Sequence, residues 1–328
     1  MINIVRAWVM SLLFVVLCTA CQSGGSWQTK SAGRAYEVVL VDDIDSIFSE
    51  ELSATIDFLP QPEPAFDVST TDKNHFRWNM KQARNVVIID TAANKHETVT
   101  IEYEHDTYAS PQIIISVKAP NARAIREKRK TIGRELRQLL HAQERRNEMQ
   151  NLQKAHAPEP EKAAREMFGV DISIPADMTH IKRGKDFLWI SDDGTSVMRN
   201  VCLFKGENID SILQANIKGE TDEMYMTLVE QQPMKEQHPP MTEGLWAMKG
   251  DAMGGPFVML KSGDLTVLGF VYAPNMKKRN HIRQLETAML SLKDAAKKEE
   301  YRTKTIEQYG RKKDSHRHHS WRYQRNWI

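Results

Sequence analysis

Residues 257–275 read FVMLKSGDLTVLGFVYAPN, and their reading decides the fold of the second half of the chain. Phe257 to Lys261 and Leu265 to Tyr272 are apolar, β-branched and aromatic runs. Ser262-Gly263-Asp264 between them carries hairpin-turn chemistry, so the two runs predict paired antiparallel strands. Ala273-Pro274-Asn275 is expected to open a helix that turns Ile282, Leu285, Met289 and Leu292 inward. Upstream, Asp251 to Pro256 (DAMGGP) reads as a turn after Gly244 to Gly250 (GLWAMKG). Phe187 to Ile190 and Ser196 to Phe204 predict another strand pair across Asp192-Asp193-Gly194. Glu161 to Phe168 reads as a helix stopped by Gly169, and Ile209 to Ile217 as a second one. Val170 to Pro175 alternates, and the prolines of Gln231 to Met241 predict a loop. Consecutive hairpins with a terminal helix predict an antiparallel sheet with helices on one face, spanning 158–293.

The first half alternates strands and helices over 34–155. Tyr36 to Val41 predicts a strand, and Asp42, Asp43 and Asp45 are placed to cap a helix carrying Ile44, Ile47, Phe48, Leu52 and Ile56. Three prolines in Leu59 to Pro64 stop that helix. Phe66 to Thr70, Val86 to Asp90, Thr98 to Tyr103 and Pro111 to Lys118 read as strands, with a short helix from Asn74 to Arg84. Asn121 caps a long basic helix that runs to about Ala155, with Ile125, Ile132, Leu136, Leu139 and Leu140 as its buried stripe. Beyond His141 the stripe thins, so the distal half is expected to project or pack lightly. The class is therefore α+β, with two sheet-plus-helix domains separated near Pro158-Glu159-Pro160. The motif strand, Ala-Pro-Asn, helix recurs at Val117 to Asn121 and Val271 to Asn275 and is read as convergent capping.

Length and composition agree with two globular domains. The chain has 328 residues, a net charge of +2 and 41% hydrophobic residues, which excludes wholesale disorder. A mean hydropathy of −0.53 excludes a polytopic membrane protein. The N-terminus is an address. After Arg6, the apolar run Ala7 to Leu17 is too short for a helix to cross a bilayer of about 30 Å and suits a signal peptide. Leu17-Cys18-Thr19-Ala20-Cys21 then reads as a lipobox, predicting cleavage of 1–20 and acylation of Cys21, with 21–33 as a polar tether. Cys202, in an apolar run, reads as a buried small hydrophobe.

The lipobox, Pro60 to Phe66 (PQPEPAF), Val170 to Pro175 (VDISIP) and above all Gly244 to Tyr272 resemble a Bacteroides-type lipoprotein family catalogued as domain of unknown function 4837. The resemblance extends over nearly the whole mature chain to about Lys293. It implies an exported lipoprotein and carries over no catalytic residue. The second domain also looks loosely like the PsbP-type fold. Surface display in that lineage usually involves acidic residues after the cysteine, and Gln22 to Ala32 has none. An outer-membrane anchor facing the periplasm is therefore expected.

Candidate chemistry is sparse. Trp246, Lys249, Asp251, Gly254 and Gly255 form the best local candidate for a ligand site, because glycines let backbone amides approach an anion. The competing reading is a tight hairpin. Asp42, Asp43 and Asp45 at a strand end are a second candidate, with helix capping as the competing role. His316, His318 and His319 form a histidine tract in a basic tail over 294–328, read as solvated. No catalytic residue, metal or cofactor is assigned. Arg34 to Asp67 holds nine acids, whereas Asn121 to Ala155 holds ten bases against four acids. The basic helix and tail, with Trp321, Tyr323 and Trp327, would suit anionic head groups. Export removes nucleic acid from reach. The reading is a membrane-anchored, non-catalytic binding or assembly module for an envelope protein or small ligand. The alternative is an envelope hydrolase or transferase with a site near Asp251 to Pro256 or Asp42 to Asp45.

Overall fold

A computed structural model describes residues 29–234 and 239–294. The signal peptide, Cys21, the histidine tract and the tail aromatics lie outside the described residues. The fold is α+β. The first half contains β1 (Glu37–Val41), helix α1 (Ile47–Leu52) after a 3-10 turn, β2 (Asp67–Thr71) and the short α2 (Trp78–Lys81). It continues with β3 (Asn85–Thr91), β4 (Thr100–His105), β5 (Ile113–Ala119) and the 33-residue helix α3 (Ala122–Lys154). The second half contains α4 (Pro158–Phe168), β6 (Val170–Asp171), β7 (His180–Arg183), β8 (Phe187–Ser191), β9 (Met198–Lys205) and α5 (Ile209–Asn216). It ends with β10 (Met226–Pro233), β11 (Met241–Met248), β12 (Gly254–Ser262), β13 (Leu265–Tyr272), α6 (Arg279–Leu290) and β14 (Lys293–Asp294).

The first sheet has the order β2-β1-β3-β5-β4, parallel except for the edge strand β4. Strand alternation sends Val38, Leu40, Val87, Ile89, Ile115 and Val117 to one face, where Phe48 and Leu52 of α1 and Ile125, Ile132 and Leu136 of α3 cover them. The other face carries Val39, Val41, Val86, Ile88 and Ile114, packed against Phe76, Ala83 and Tyr108. The expected helix over 74–84 shortens to one turn, and Phe76 and Ala83 on either side of it pack against the sheet. Helix α1 also ends early, at Leu52, and Ile56 joins the core from a loop.

The second sheet is antiparallel throughout, in the order β10-β11-β12-β13-β9-β8-β7. Its central strands are apolar on both faces, and both are covered, which corrects the expectation of helices on one face. Leu188, Val201, Leu203, Val258 and Val267 pack with Ala163 and Ala164 of α4 and Leu285 and Met289 of α6. Phe187, Phe204, Trp246, Phe257 and Phe270 pack on the opposite face with Leu213 of α5. The proline-bearing segment expected as a loop contributes the end of β10 and the start of β11. Pro233 lies at the end of the edge strand β10, where its missing donor costs little.

Candidate interdomain binding site

The Pro60–Phe66 segment is a joint between the domains. Leu59 packs against the core of the second domain. Glu63, 3% exposed, turns its carboxylate onto the first turn of α6. Its Oε1 accepts from the Lys278 amide (2.6 Å) and its Oε2 from the Arg279 amide (3.0 Å). A helix N-terminus presents unpaired donors and partial positive charge, so a carboxylate is the fitting cap. The expected cap Asn275 lies upstream, and α6 begins only at Arg279. Buried Arg279 donates to Asp67 Oδ2 (2.7 Å) and to the Pro64 carbonyl (2.8 Å). Burial alone would raise the Asp67 carboxyl; the bonds and charges of Arg279 and Lys277 outweigh it and hold it below its ordinary value.

The distal half of α3 is not a light projection. Gln143, Glu144, Asn147 and Leu152 are buried there, and the stripe continues with polar residues in place of leucines. Glu144 accepts from Arg84 Nη2 (2.8 Å) and Asn85 Nδ2 (2.6 Å) at the start of β3. Glu148 accepts from Gln284 of α6 (2.8 Å), and Gln284 accepts in turn from Arg199. Apolar periodicity is blind to such a polar packing face.

Between α3, α6 and the β10–β11 hairpin lies a cleft of about 520 Å³. Arg134, Arg137, His141 and Arg145 project from α3, Arg283 and Glu286 from α6, and Gln232 and Glu243 from the hairpin, with Asp57 at the side. Arg137 pairs with Glu51, and Arg283 with Glu286 at 2.6 Å. Arg134 and Arg145 make no hydrogen bond or ion pair with another described residue. His141 lies 4.8 Å from the Phe66 ring and 5.8 Å from the Tyr36 ring, centroid to centroid. Burial, reinforced by the surrounding arginines, holds its pKa well below the ordinary histidine value, so the ring is neutral at pH 7. Burial pushes the Glu243 carboxyl up, against the bond that Gln232 donates to it at 3.2 Å. The chemistry on offer is anion capture by two guanidiniums without an ion-pair partner among the described residues, beside the paired Arg137 and Arg283 and the carboxylates Asp57, Glu243 and Glu286.

The five residues Trp246, Lys249, Asp251, Gly254 and Gly255 do not converge on one concave site. Trp246 is 3% exposed, and its Nε1 donates to the Val271 carbonyl (3.2 Å). Gly254 and Gly255 sit in β12, paired with Ala247 and Trp246, and a Cβ at Gly255 would overlap the Val271 carbonyl oxygen. The turn is therefore shorter than Asp251 to Pro256, and its left-handed residue is Gly250 (φ 80°). Lys249 is exposed and donates to the Tyr225 hydroxyl (2.9 Å), while Asp251 accepts from the Ala252 amide. Asp43 caps α1 through the Phe48 and Ser49 amides, Asp45 pairs with Arg126, and Asp42 pairs with Lys73. Lys73 continues to Asp90 (2.9 Å), which accepts from His96 (3.0 Å), a network the sequence reading missed because its members are far apart in the chain. The bonds of His96 and Lys73 lower the Asp90 carboxyl to about 2. Cys202 is fully buried, and burial raises its thiol well above the ordinary value. Among the described residues, no group of three or more His, Cys, Asp or Glu side chains is placed to hold a metal ion. No helix among them is long and apolar enough to cross a membrane.

These features define a two-domain α+β protein with a cationic cleft at its joint. Residues 157–291, which make up most of the second domain, match the family model described as Domain of unknown function (DUF4837). Residues 31–154 match a different model, Domain of unknown function (DUF8532). The DUF4837 likeness is thus confined to the second domain, and the Pro60–Phe66 segment falls within the other match. A crystal structure from Bacteroides thetaiotaomicron VPI-5482 is 14% identical, with a TM-score of 0.18, covering 38% of this chain and 45% of that one. The chain therefore spans less than half of that protein's length. No curated protein matches the chain.

Proposed function

We propose that the chain is an envelope lipoprotein, cleaved after residue 20, held by acylated Cys21 in the outer membrane and facing the periplasm, and that it is a binding module rather than an enzyme. Its interdomain cleft takes a small anionic ligand carrying phosphate or carboxylate groups. The observation that carries the binding role is the pair Arg134 and Arg145, two cleft cations that form no ion pair with a described residue. Bidentate guanidinium contacts suit such groups. The carboxylates that would serve the hydrolase alternative, Asp42, Asp43 and Asp45, are engaged in a cap and two ion pairs. The all-antiparallel second sheet supports the loose PsbP-type likeness. Calorimetric titration with pyrophosphate and with citrate tests the binding role. The wild type is expected to bind at least one of them saturably, with affinity falling at least tenfold in the Arg134→Gln/Arg145→Gln variant. Absence of binding by both, or equal affinity in the variant, overturns it.

A further inference from the structure

We infer that the Trp78 platform is the face on which the anchored chain rests against a lipid bilayer, an inference that depends on acylation of Cys21. Trp78 is 61% exposed, unusually so for a residue that large, and meets Tyr108 edge-on with ring centroids 5.9 Å apart. Lys81 Nζ sits 5.6 Å from the Tyr108 ring and 5.8 Å from the Phe76 ring. Lys30, Arg77 and Lys81 form no ion pair among the described residues. The neighbouring carboxylates are already engaged, Asp72 by His75 and Asp106 by the Gln112 amide. Aromatic rings interleaved with unpaired cations suit the head-group layer of a membrane that includes anionic lipid.

The path of the chain brings this patch to the bilayer. Ser110 donates its amide to the Thr29 carbonyl (2.8 Å), and the Ser31 amide donates to the Ser110 carbonyl (3.1 Å). The Ala32 amide donates to Gln82 (2.8 Å), and the Arg84 amide to Ala32 (3.1 Å). The incoming segment is thus laced to the loop that carries Tyr108 and to the residues that follow α2, the helix that carries Trp78. Only eight residue steps separate Cys21 from Thr29, a reach of at most about 29 Å when fully extended. An acyl group on Cys21 therefore holds this end of the first sheet within about 29 Å of the membrane. A groove of about 360 Å³ beside the incoming segment adds apolar surface from Val39, Val68, Met80 and Ala83, with Glu37 and Asp67 also on its wall.

The test uses the full acylated chain in vesicles of phosphatidylethanolamine and phosphatidylglycerol, with an environment-sensitive fluorophore on Asn79→Cys or, as a control on the second domain, Lys185→Cys. Buried Cys202 stays unlabelled. Doxyl-lipid quenching is expected to be at least threefold stronger at position 79 than at 185, and to fall to the level at 185 when Trp78→Ser and Lys81→Ser are added. Equal quenching at the two positions in a chain with acyl mass on its Cys21 peptide overturns the docking face alone. Absence of that acyl mass overturns the anchor and this inference with it. Shielding of position 79 in native envelope but not in pure vesicles identifies a protein occupant and overturns the lipid assignment.

Discussion

Replacing Glu63 by alanine removes the carboxylate that caps the backbone of the first turn of α6 from the other domain. Both of its oxygens accept backbone N–H groups, from Lys278 and Arg279, and all three residues are buried. Charge-assisted bonds of this kind contribute about 1.5–3 kcal/mol each, and the amides left behind are shielded from water. The ammonium of Lys278, which burial already pushes below its ordinary pKa, also loses its nearest opposing charge. Together these set the expected loss at about 3–5 kcal/mol. Glu63→Gln keeps the shape and one acceptor oxygen, so its cost is about 1–2 kcal/mol. Urea unfolding followed by tryptophan fluorescence measures the totals, and hydrogen exchange localises them. The amides of Lys278 and Arg279 should lose protection in the alanine variant while those of β12 and β13 retain theirs. A Glu63→Ala protein within about 0.5 kcal/mol of wild type, with unchanged protection at 278 and 279, would refute the cap.

Other perturbations probe separate parts of the account. Gly255→Ala drives a methyl group into the Val271 carbonyl, and thermal unfolding should show a loss of about 2–4 kcal/mol. The Asp90 carboxyl titrates near 2 in the folded chain against an ordinary 3.8, so it binds a proton more weakly folded than unfolded. Its contribution is complete above about pH 4 and vanishes as pH falls through 2. The melting-temperature difference between wild type and Asp90→Asn should therefore be positive at pH 6 and close to zero at pH 2. Cys21→Ser should abolish incorporation of a clickable palmitate that the wild type takes up, and equal labelling of the two would exclude that cysteine as the anchor. Cys202 should react with an aromatic disulfide reagent only as fast as the protein unfolds, because its thiol is both covered and held protonated.

Much of the fold was legible because the deciding signals are local. The hairpin through Ser262-Gly263-Asp264 lies where its turn chemistry places it, and Asn121 caps α3 by accepting from the Ala124 amide at 3.0 Å. Gly169 ends α4 in the left-handed conformation. What escaped depends on distant partners. Glu63 looked like one acid in a proline-rich loop, yet it caps a helix more than two hundred residues later, in place of the local candidate Asn275. Glu144 and Asn147 broke the apolar period of α3, although that face is buried against Arg84, Asn85 and their neighbours. Gly254 and Gly255 suggested an anion-binding turn because close backbone approach and strand packing leave the same glycine signature; only the Val271 carbonyl overhead distinguishes them. The cleft arginines stood in the sequence as part of a uniformly basic helix. Of the four arginines that line the cleft, Arg137 is paired with Glu51 and Arg283 with Glu286, which leaves Arg134 and Arg145.

Capture of an anion by these two guanidiniums at the domain joint is read most directly from their arginine Nε–Hε resonances, which report on each side chain separately. On titration with pyrophosphate, the signals of Arg134 and Arg145 should shift together and saturate, while that of Arg123, already paired with Glu127 on the far exposed turn of α3, stays in place. Uniform small shifts across all arginines, or none at the cleft pair, would contradict the claim.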